Sequence, residues 1–226
     1  MGEIAEAELT EQLKEHTQVL CILNSRKGVQ RIFGMLQEEE GTYHLSTFMY
    51  PRHRKKLLTI IRDRLDKGLP CRLIATSLVE AGVDFDFPSV FRELAGVDSM
   101  IQAAGRCNRE GMRQKETCVT TIFTLDKAEE NHIPQSLKLP VSVSGQVAEK
   151  YDDIASLEAI ADYFSRLYHF RGEGLDAKNI VGQMEEGRRS LLFPFATVAK
   201  QFRLIENDTA TILIDREPEA RILAER

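Results

Sequence analysis

The sequence predicts an α/β fold built on a mostly parallel sheet flanked by helices, followed by a linker and the start of a smaller helical or mixed region. Three observations predict it. Short apolar runs of strand length alternate with longer stretches of helical period up to Leu125. The run Cys71 to Ser77 reads as a buried strand followed by a loop and a short helical turn, a strand–loop–helix unit. At 226 residues with 42% hydrophobic content, the chain has room for one full domain and a smaller piece.

Taken in order, Glu3 to His16 reads as an acidic amphipathic helix joining a preceding domain or capping the sheet. Strands are expected near 18–23, 43–47, 71–75, 89–94 and 117–124, with helices between them at about 27–39, 52–66 and 98–109. Strand–helix alternation of this kind implies right-handed crossovers between parallel neighbours. Residues 126–150 hold Pro134, Pro140, Gly145 and several serines without a helical period, and read as a linker. Asp152-Asp153 then precedes an amphipathic run to Tyr168, where two acids serve as helix-start residues rather than as a catalytic pair. A helix near 195–203 and a strand at 210–214 complete the expected elements. The domain boundaries that follow are 1–17, 18–125, 126–150 and 151–226.

Chemistry concentrates in two stretches. Cys71-Arg-Leu-Ile-Ala-Thr-Ser77 is a strand ending in two hydroxyls, followed by a short helical turn closed by Gly82 and Asp84. Ligands of open α/β sheets sit at the carboxyl ends of strands, where Thr76 and Ser77 are expected. Further on, Gln102, Gly105, Arg106 and Arg109 fall on one expected helix, with both arginines on a shared face and Gln102 one turn behind Arg106. Gly105 leaves room for a close approach. Two guanidinium groups beside an amide suit a transferring phosphoryl group. On its own, that stretch is equally an amphipathic helix with solvated arginines.

The two stretches in this order resemble motifs V and VI of superfamily 2 helicases, T-S-x-x-x-x-G-x-D and Q-x-x-G-R-x-x-R. Asn24-Ser-Arg-Lys27, closing the first strand, is similar to motif IV. His44-Leu-Ser-Thr47-Phe-Met-Tyr-Pro51-Arg-His-Arg54 resembles one subfamily's H-L-S-T-x-M-x-P-x-H-R segment, and Phe91-Arg-Glu-Leu-Ala-Gly96 and Leu192 to Glu206 share its wording. That subfamily is the CRISPR-associated helicase-nuclease of type I systems. The resemblance implies a second RecA-like helicase domain, with Arg106, Arg109 and Gln102 catalytic and Gly82, Asp84 and Gly105 on the nucleotide side. It implies single-stranded DNA contacts by Ser25, Arg26, Thr47, Thr76 and Ser77. The implied partners are a first RecA-like domain of the same protein, which mainly binds ATP and Mg, and a crRNA-guided surveillance complex that recruits the motor.

What the sequence lacks shapes the expectation equally. No G-x-x-x-x-G-K-[ST] phosphate loop, Asp-Glu pair or His-Asp pair occurs, so this chain is expected to be inactive alone, without a nuclease site or bound metal. The histidines have no metal-ligand spacing, and Cys21, Cys71, Cys107 and Cys118 form no C-x-x-C pair, which reads as reduced thiols in a cytoplasmic protein. No apolar run approaches a membrane span, and the N-terminus has no signal core. A net charge of −5 excludes wholesale coating by nucleic acid but allows a local track through Arg26, Lys27, Arg31 and the basic run Arg52 to Lys67. Phe48 and Tyr50 are equally readable as core, so no aromatic platform is evident and little base specificity is expected. The other function class is a degenerate RecA-like module that binds nucleic acid or protein without an ATPase role.

Overall fold

Gly2–Ile4 forms an edge strand, β1, at a place where the sequence pattern reads as helix from Glu3. The strand wins because the carbonyl of Ile4 accepts from the Asp126 N–H (3.0 Å) and the Ile4 side chain is buried. Helix α1 (Glu6–Lys14) follows, with Glu6 and Glu8 in its first turn, where acids complement the helix dipole. The remaining elements of the sheet layer are β2 (Gln18–Leu23), α2 (Arg26–Leu36), β3 (Thr42–Leu45), α3 (Pro51–Asp66), β4 (Cys71–Thr76), β5 (Ser89–Glu93), α4 (Val97–Ala104) and β6 (Val119–Leu125). The structure is a computed structural model that describes residues 2–80, 82–126, 133–202 and 214.

Among the described residues, six strands form one sheet in the order β1-β6-β5-β2-β4-β3, and every pairing is parallel. This is a RecA-like α/β layout, as the strand–helix alternation predicts. Central β2 is buried along its whole length, and its side chains divide by the strand's period of two. Val19, Cys21 and Leu23 pack with Leu9 and Leu13 of α1 and Val29, Ile32 and Leu36 of α2. Leu20 and Ile22 pack on the opposite face with Leu57 and Ile61 of α3 and Ala103 of α4. Two cores therefore sandwich the sheet, which fixes the strand ends rigidly relative to one another.

Helix α5 (Gln135–Lys150) occupies most of the expected 126–150 linker. Its Pro140 and Gly145 obscure the helical period, yet Val143 and Val147 lie four apart and are fully buried, so tertiary packing overrides weak propensity. They meet Ala159, Tyr163 and Leu167 of α6 (Leu157–Arg171) and Val97 and Met100 of α4.

The chain divides into two compact units, Met1–Leu167 and Tyr168–Arg226, so the break falls inside the 151–226 region of the sequence reading. The second unit contains α7 (Ile180–Ser190) and α8 (Phe195–Gln201), the latter where a helix near 195–203 is expected. The Gln183 side-chain amide donates to Gln201 Oε1 (2.8 Å), tying the two helices. The expected strand at 210–214 lies outside the described residues, apart from Ile214. Among the described residues, no helix is long and apolar enough to cross a membrane.

Candidate functional site

Parallel strands carry their carboxyl ends to one edge of the sheet. There the turn after β2, the loop after β3 and the end of β4 enclose a cleft of ≈ 370 Å³. All five residues expected to touch nucleic acid, Ser25, Arg26, Thr47, Thr76 and Ser77, line it, together with Asn24, Lys27 and Pro134. Among the described residues, the lining holds two cations and no acid. The Ser25 hydroxyl accepts from the Gly28 N–H (3.0 Å) and caps α2. That bond uses a lone pair, so the hydroxyl proton can still be donated into the cleft. Thr76 is only 9% exposed, and its hydroxyl has no hydrogen-bond partner among the described residues. A buried, unsatisfied hydroxyl costs about 1–3 kcal/mol, which a ligand oxygen would recover.

Phe48 is not core. It is 74% exposed, and the Arg26 guanidinium lies over its ring at 3.6 Å from the centroid.

Behind the cleft lies a buried polar network that the sequence reading missed. Arg92, 1% exposed at the end of β5, meets Glu80 in an ion pair (Nε to Oε1, 2.9 Å). It also donates to Asn24 Oδ1 (2.8 Å), the Glu93 carbonyl (2.7 Å) and Ser99 Oγ (3.1 Å). Ser99 donates onward to Glu80 Oε2 (2.7 Å), and the Asn24 N–H donates to Glu93 Oε2 (2.6 Å). Burial raises the carboxyl pKa of Glu80 against the pull of Arg92, lowers that of Arg92, and raises that of Glu93 against the Asn24 N–H. The one sequence signal was the Arg92-Glu93 charge pair closing an apolar strand. A neighbouring cavity of ≈ 220 Å³ abuts this network, and Gln102 lines it with Ser77.

Gln102, Arg106 and Arg109 do not share one helix face. Helix α4 stops at Ala104, and Gly105 is its C-cap. Continuation is outcompeted because residues 106–108 pair with Phe87: the Phe87 N–H donates to the Arg106 carbonyl, and the Asn108 N–H to the Phe87 carbonyl, both at 2.9 Å. Arg106, 6% exposed, donates through Nε to the Val79 carbonyl (3.0 Å) and through Nη2 to the Glu80 carbonyl (2.5 Å). Burial lowers its pKa. Arg109 stands at a separate cavity of ≈ 410 Å³ and pairs with Asp84 (2.8 Å), both side chains being largely exposed. Gly82 has φ +73, and nothing lies where a Cβ would go, so glycine serves the left-handed turn rather than a close approach. At Gly105 an added Cβ would stand 3.3 Å from the Gln102 carbonyl oxygen, so neighbouring backbone, not a ligand, limits that position.

The Arg109 cavity sets Arg62, Arg109 and Arg113 against Asp66, Asp84, Asp86 and Glu110. Such a lining fits the edge of one phosphate, provided that Arg109 exchanges Asp84 for it. It does not fit a whole triphosphate, because acids outnumber bases. Among the described residues, no three His, Cys, Asp or Glu side chains converge as metal donors.

Residues 15–112 match the family described as "CRISPR-associated nuclease/helicase Cas3, C-terminal". This stretch is similar to the C-terminal helicase domain of that family. Over 131 residues the chain is 34% identical to the CRISPR-associated nuclease/helicase Cas3 of Haloferax volcanii, an alignment covering 56% of this chain and 14% of that protein. It is 25% identical over 91 residues to its namesake from Methanothermobacter thermautotrophicus, covering 40% and 11%. The chain thus spans a small fraction of these relatives' length. The crystal structure of T. fusca Cas3-ATP superposes with a TM-score of 0.59 at 17% identity, over 92% of this chain and 28% of that one. That likeness concerns the fold. The matched segment runs from just before β2 past Arg109, so it contains the cleft lining apart from Pro134, the buried network, and both Arg106 and Arg109.

Proposed function

We propose that this chain is the second RecA-like half of an ATP-dependent superfamily 2 DNA motor acting in CRISPR-based antiviral defence. The observation that carries this reading is the basic cleft, where all five expected contact residues converge around the orphaned Thr76 hydroxyl. Its hydroxyls, cations and α2 N-terminus suit a single-stranded backbone held by its phosphates. ATP, bound mainly by a first RecA-like domain together with Mg, supplies the phosphoryl-transfer energy. Arg109 is the group of this chain most open to that nucleotide. Arg106 holds the Val79–Glu80 turn, whose other end carries Thr76 and Ser77, and so links nucleotide and DNA sides. Gln102, Gly82 and Asp84 flank these two arginines' loops, with Gly105 ending the helix that leads into Arg106. A crRNA-guided surveillance complex is the proposed recruiter, and the cytoplasm the proposed site of action.

A second reading, a RecA-like binding module without an ATPase role, draws on one observation: both motif VI arginines already have partners within the chain. ATP hydrolysis with single-stranded DNA separates the two. The motor reading expects no hydrolysis by this chain alone, hydrolysis on mixing with the upstream half, and loss on Arg109→Ala. A silent mixture that still binds DNA would favour the binding module.

A further inference from the structure

We infer that Phe48, backed by Arg26, is a base-stacking platform at the mouth of the cleft, so that this half of the motor grips bases as well as phosphates. The inference rests on the proposed single-strand reading and adds a contact that the sequence analysis set aside. Phe48 follows Thr47 directly in the loop after β3 and is 74% exposed, an uncommon exposure for a ring of its size. The Arg26 guanidinium covers one face at 3.6 Å. Its exposed area is therefore the opposite face and the edge. Arg26 also lines the cleft, so one side chain joins the aromatic surface to the phosphate-binding one.

Charge and geometry select the occupant. Among the described residues, the cleft lining carries Arg26 and Lys27 without an acid, and the buried Thr76 hydroxyl waits there for an acceptor. A ligand fitting both must combine a string of anionic oxygens with flat apolar faces beside them, which is the constitution of an unpaired nucleic-acid strand. Arginine on the rear face orients the ring and adds positive potential behind it, which favours a base tethered to phosphate over a neutral apolar side chain. A protein surface docking on Phe48 would gain the ring but would leave the Thr76 hydroxyl and the two cations uncompensated.

The test measures binding of this 226-residue chain to two single-stranded oligonucleotides of equal length, one ordinary and one with consecutive abasic sites. The abasic strand keeps every phosphate and loses the stacking faces. The ordinary strand should bind tighter, and Phe48→Ala should weaken it on the order of 5- to 100-fold, the range for one stacked base. The same variant should leave the abasic strand and the salt dependence unchanged. Phe48→Trp should restore the preference, whereas Phe48→Leu, equally apolar but without a π face, should not. Equal, salt-dependent binding of both strands would overturn the platform while leaving the phosphate cleft in place. Rescue by Phe48→Leu would overturn stacking in favour of a contact that needs only apolar bulk. Absence of binding to either strand would overturn the single-strand reading together with the platform.

Discussion

Arg92 and Glu80 meet at 2.9 Å with almost no water beside them, and the pair joins the end of β5 to the turn that follows β4. Ser99 and Asn24 complete the arrangement by bonding the remaining Arg92 nitrogens. The turns that line the cleft are thereby tied to one buried guanidinium. Its flat fork can serve several acceptors at once, which a lysine could not do. The network costs desolvation on both sides, as the raised carboxyl and lowered guanidinium pKa directions indicate. Its value lies in holding three loops in one geometry.

Arg92→Met should therefore destabilise the chain by about 3–5 kcal/mol, the usual cost of leaving one member of a buried ion pair alone. Urea denaturation of the variant measures this directly. A loss below about 1 kcal/mol, the scale of exposed pairs, would show that water already reaches the network.

Glu93 predicts an unusual pH dependence. Burial raises its folded pKa above the ordinary 4.5, only partly countered by the Asn24 N–H and Arg92. The folded state therefore holds the Glu93 proton over a window where the unfolded chain has released it. Within that window this group's contribution to stability falls as pH rises, and the loss is complete above the raised pKa. Glu93→Gln removes the effect. Compared with the parent chain, the variant should gain relative stability between pH 4.5 and neutrality, as thermal melts across that range would show.

Arg106 and Arg109 should separate cleanly in their consequences. Arg106→Ala strands the buried carbonyls of Val79 and Glu80 and should cost about 2–4 kcal/mol of stability. Arg109→Ala loses only a largely exposed pair with Asp84 and should change stability by less than about 1 kcal/mol. In the assembled motor, Arg109→Ala should nevertheless reduce DNA-stimulated ATP turnover by roughly 10³ or more, the scale of an arginine finger. Melting and turnover of the two variants, measured side by side, check both claims.

At Gly41, φ is +77 and an added Cβ would stand 2.0 Å from the Pro70 carbonyl oxygen. The Arg72 N–H donates to the Gly41 carbonyl (2.8 Å), and Arg64 Nε donates to the Pro70 carbonyl (2.7 Å), so neither segment can retreat cheaply. Gly41→Ala should cost on the order of 2–4 kcal/mol through left-handed strain and the clash. Gly82→Ala, with open space at its Cβ, should cost about 1 kcal/mol from φ alone.

The four thiols should differ in reactivity. Cys21 is fully buried and its pKa is raised, and burial pushes Cys71 up to about 11. Near pH 8 only about one Cys71 in a thousand would be thiolate, the reactive form. Alkylation of the native chain at that pH should mark Cys118 first and Cys107 more slowly. Cys21 and Cys71 should react only after unfolding.

The alternation of strands and helices and the parallel sheet were legible in the residue pattern, as were the hydroxyls and cations at the strand ends. These are local matters: apolar runs of strand length, a serine cap before a helix, hydroxyls at a strand's end. Because parallel strands bring their carboxyl ends to one edge, naming Ser25, Arg26, Thr47, Thr76 and Ser77 from separate motifs was enough to assemble one lining. Which residues leave that pattern depends on contacts between distant segments. Gly2–Ile4 became a strand because β6 offered an edge, and α5 formed despite Pro140 because Val143 and Val147 found a core. The Gln102–Arg109 stretch broke after Ala104 because Phe87 claimed the backbone groups that a longer helix would have used. That break buried Arg106, exposed Arg109 and sent Gln102 to a different cavity. Periodicity reports what a segment can do alone. Which competing hydrogen bond or buried face prevails depends on partners distant in the chain, and those exist only once the sheet has closed around them.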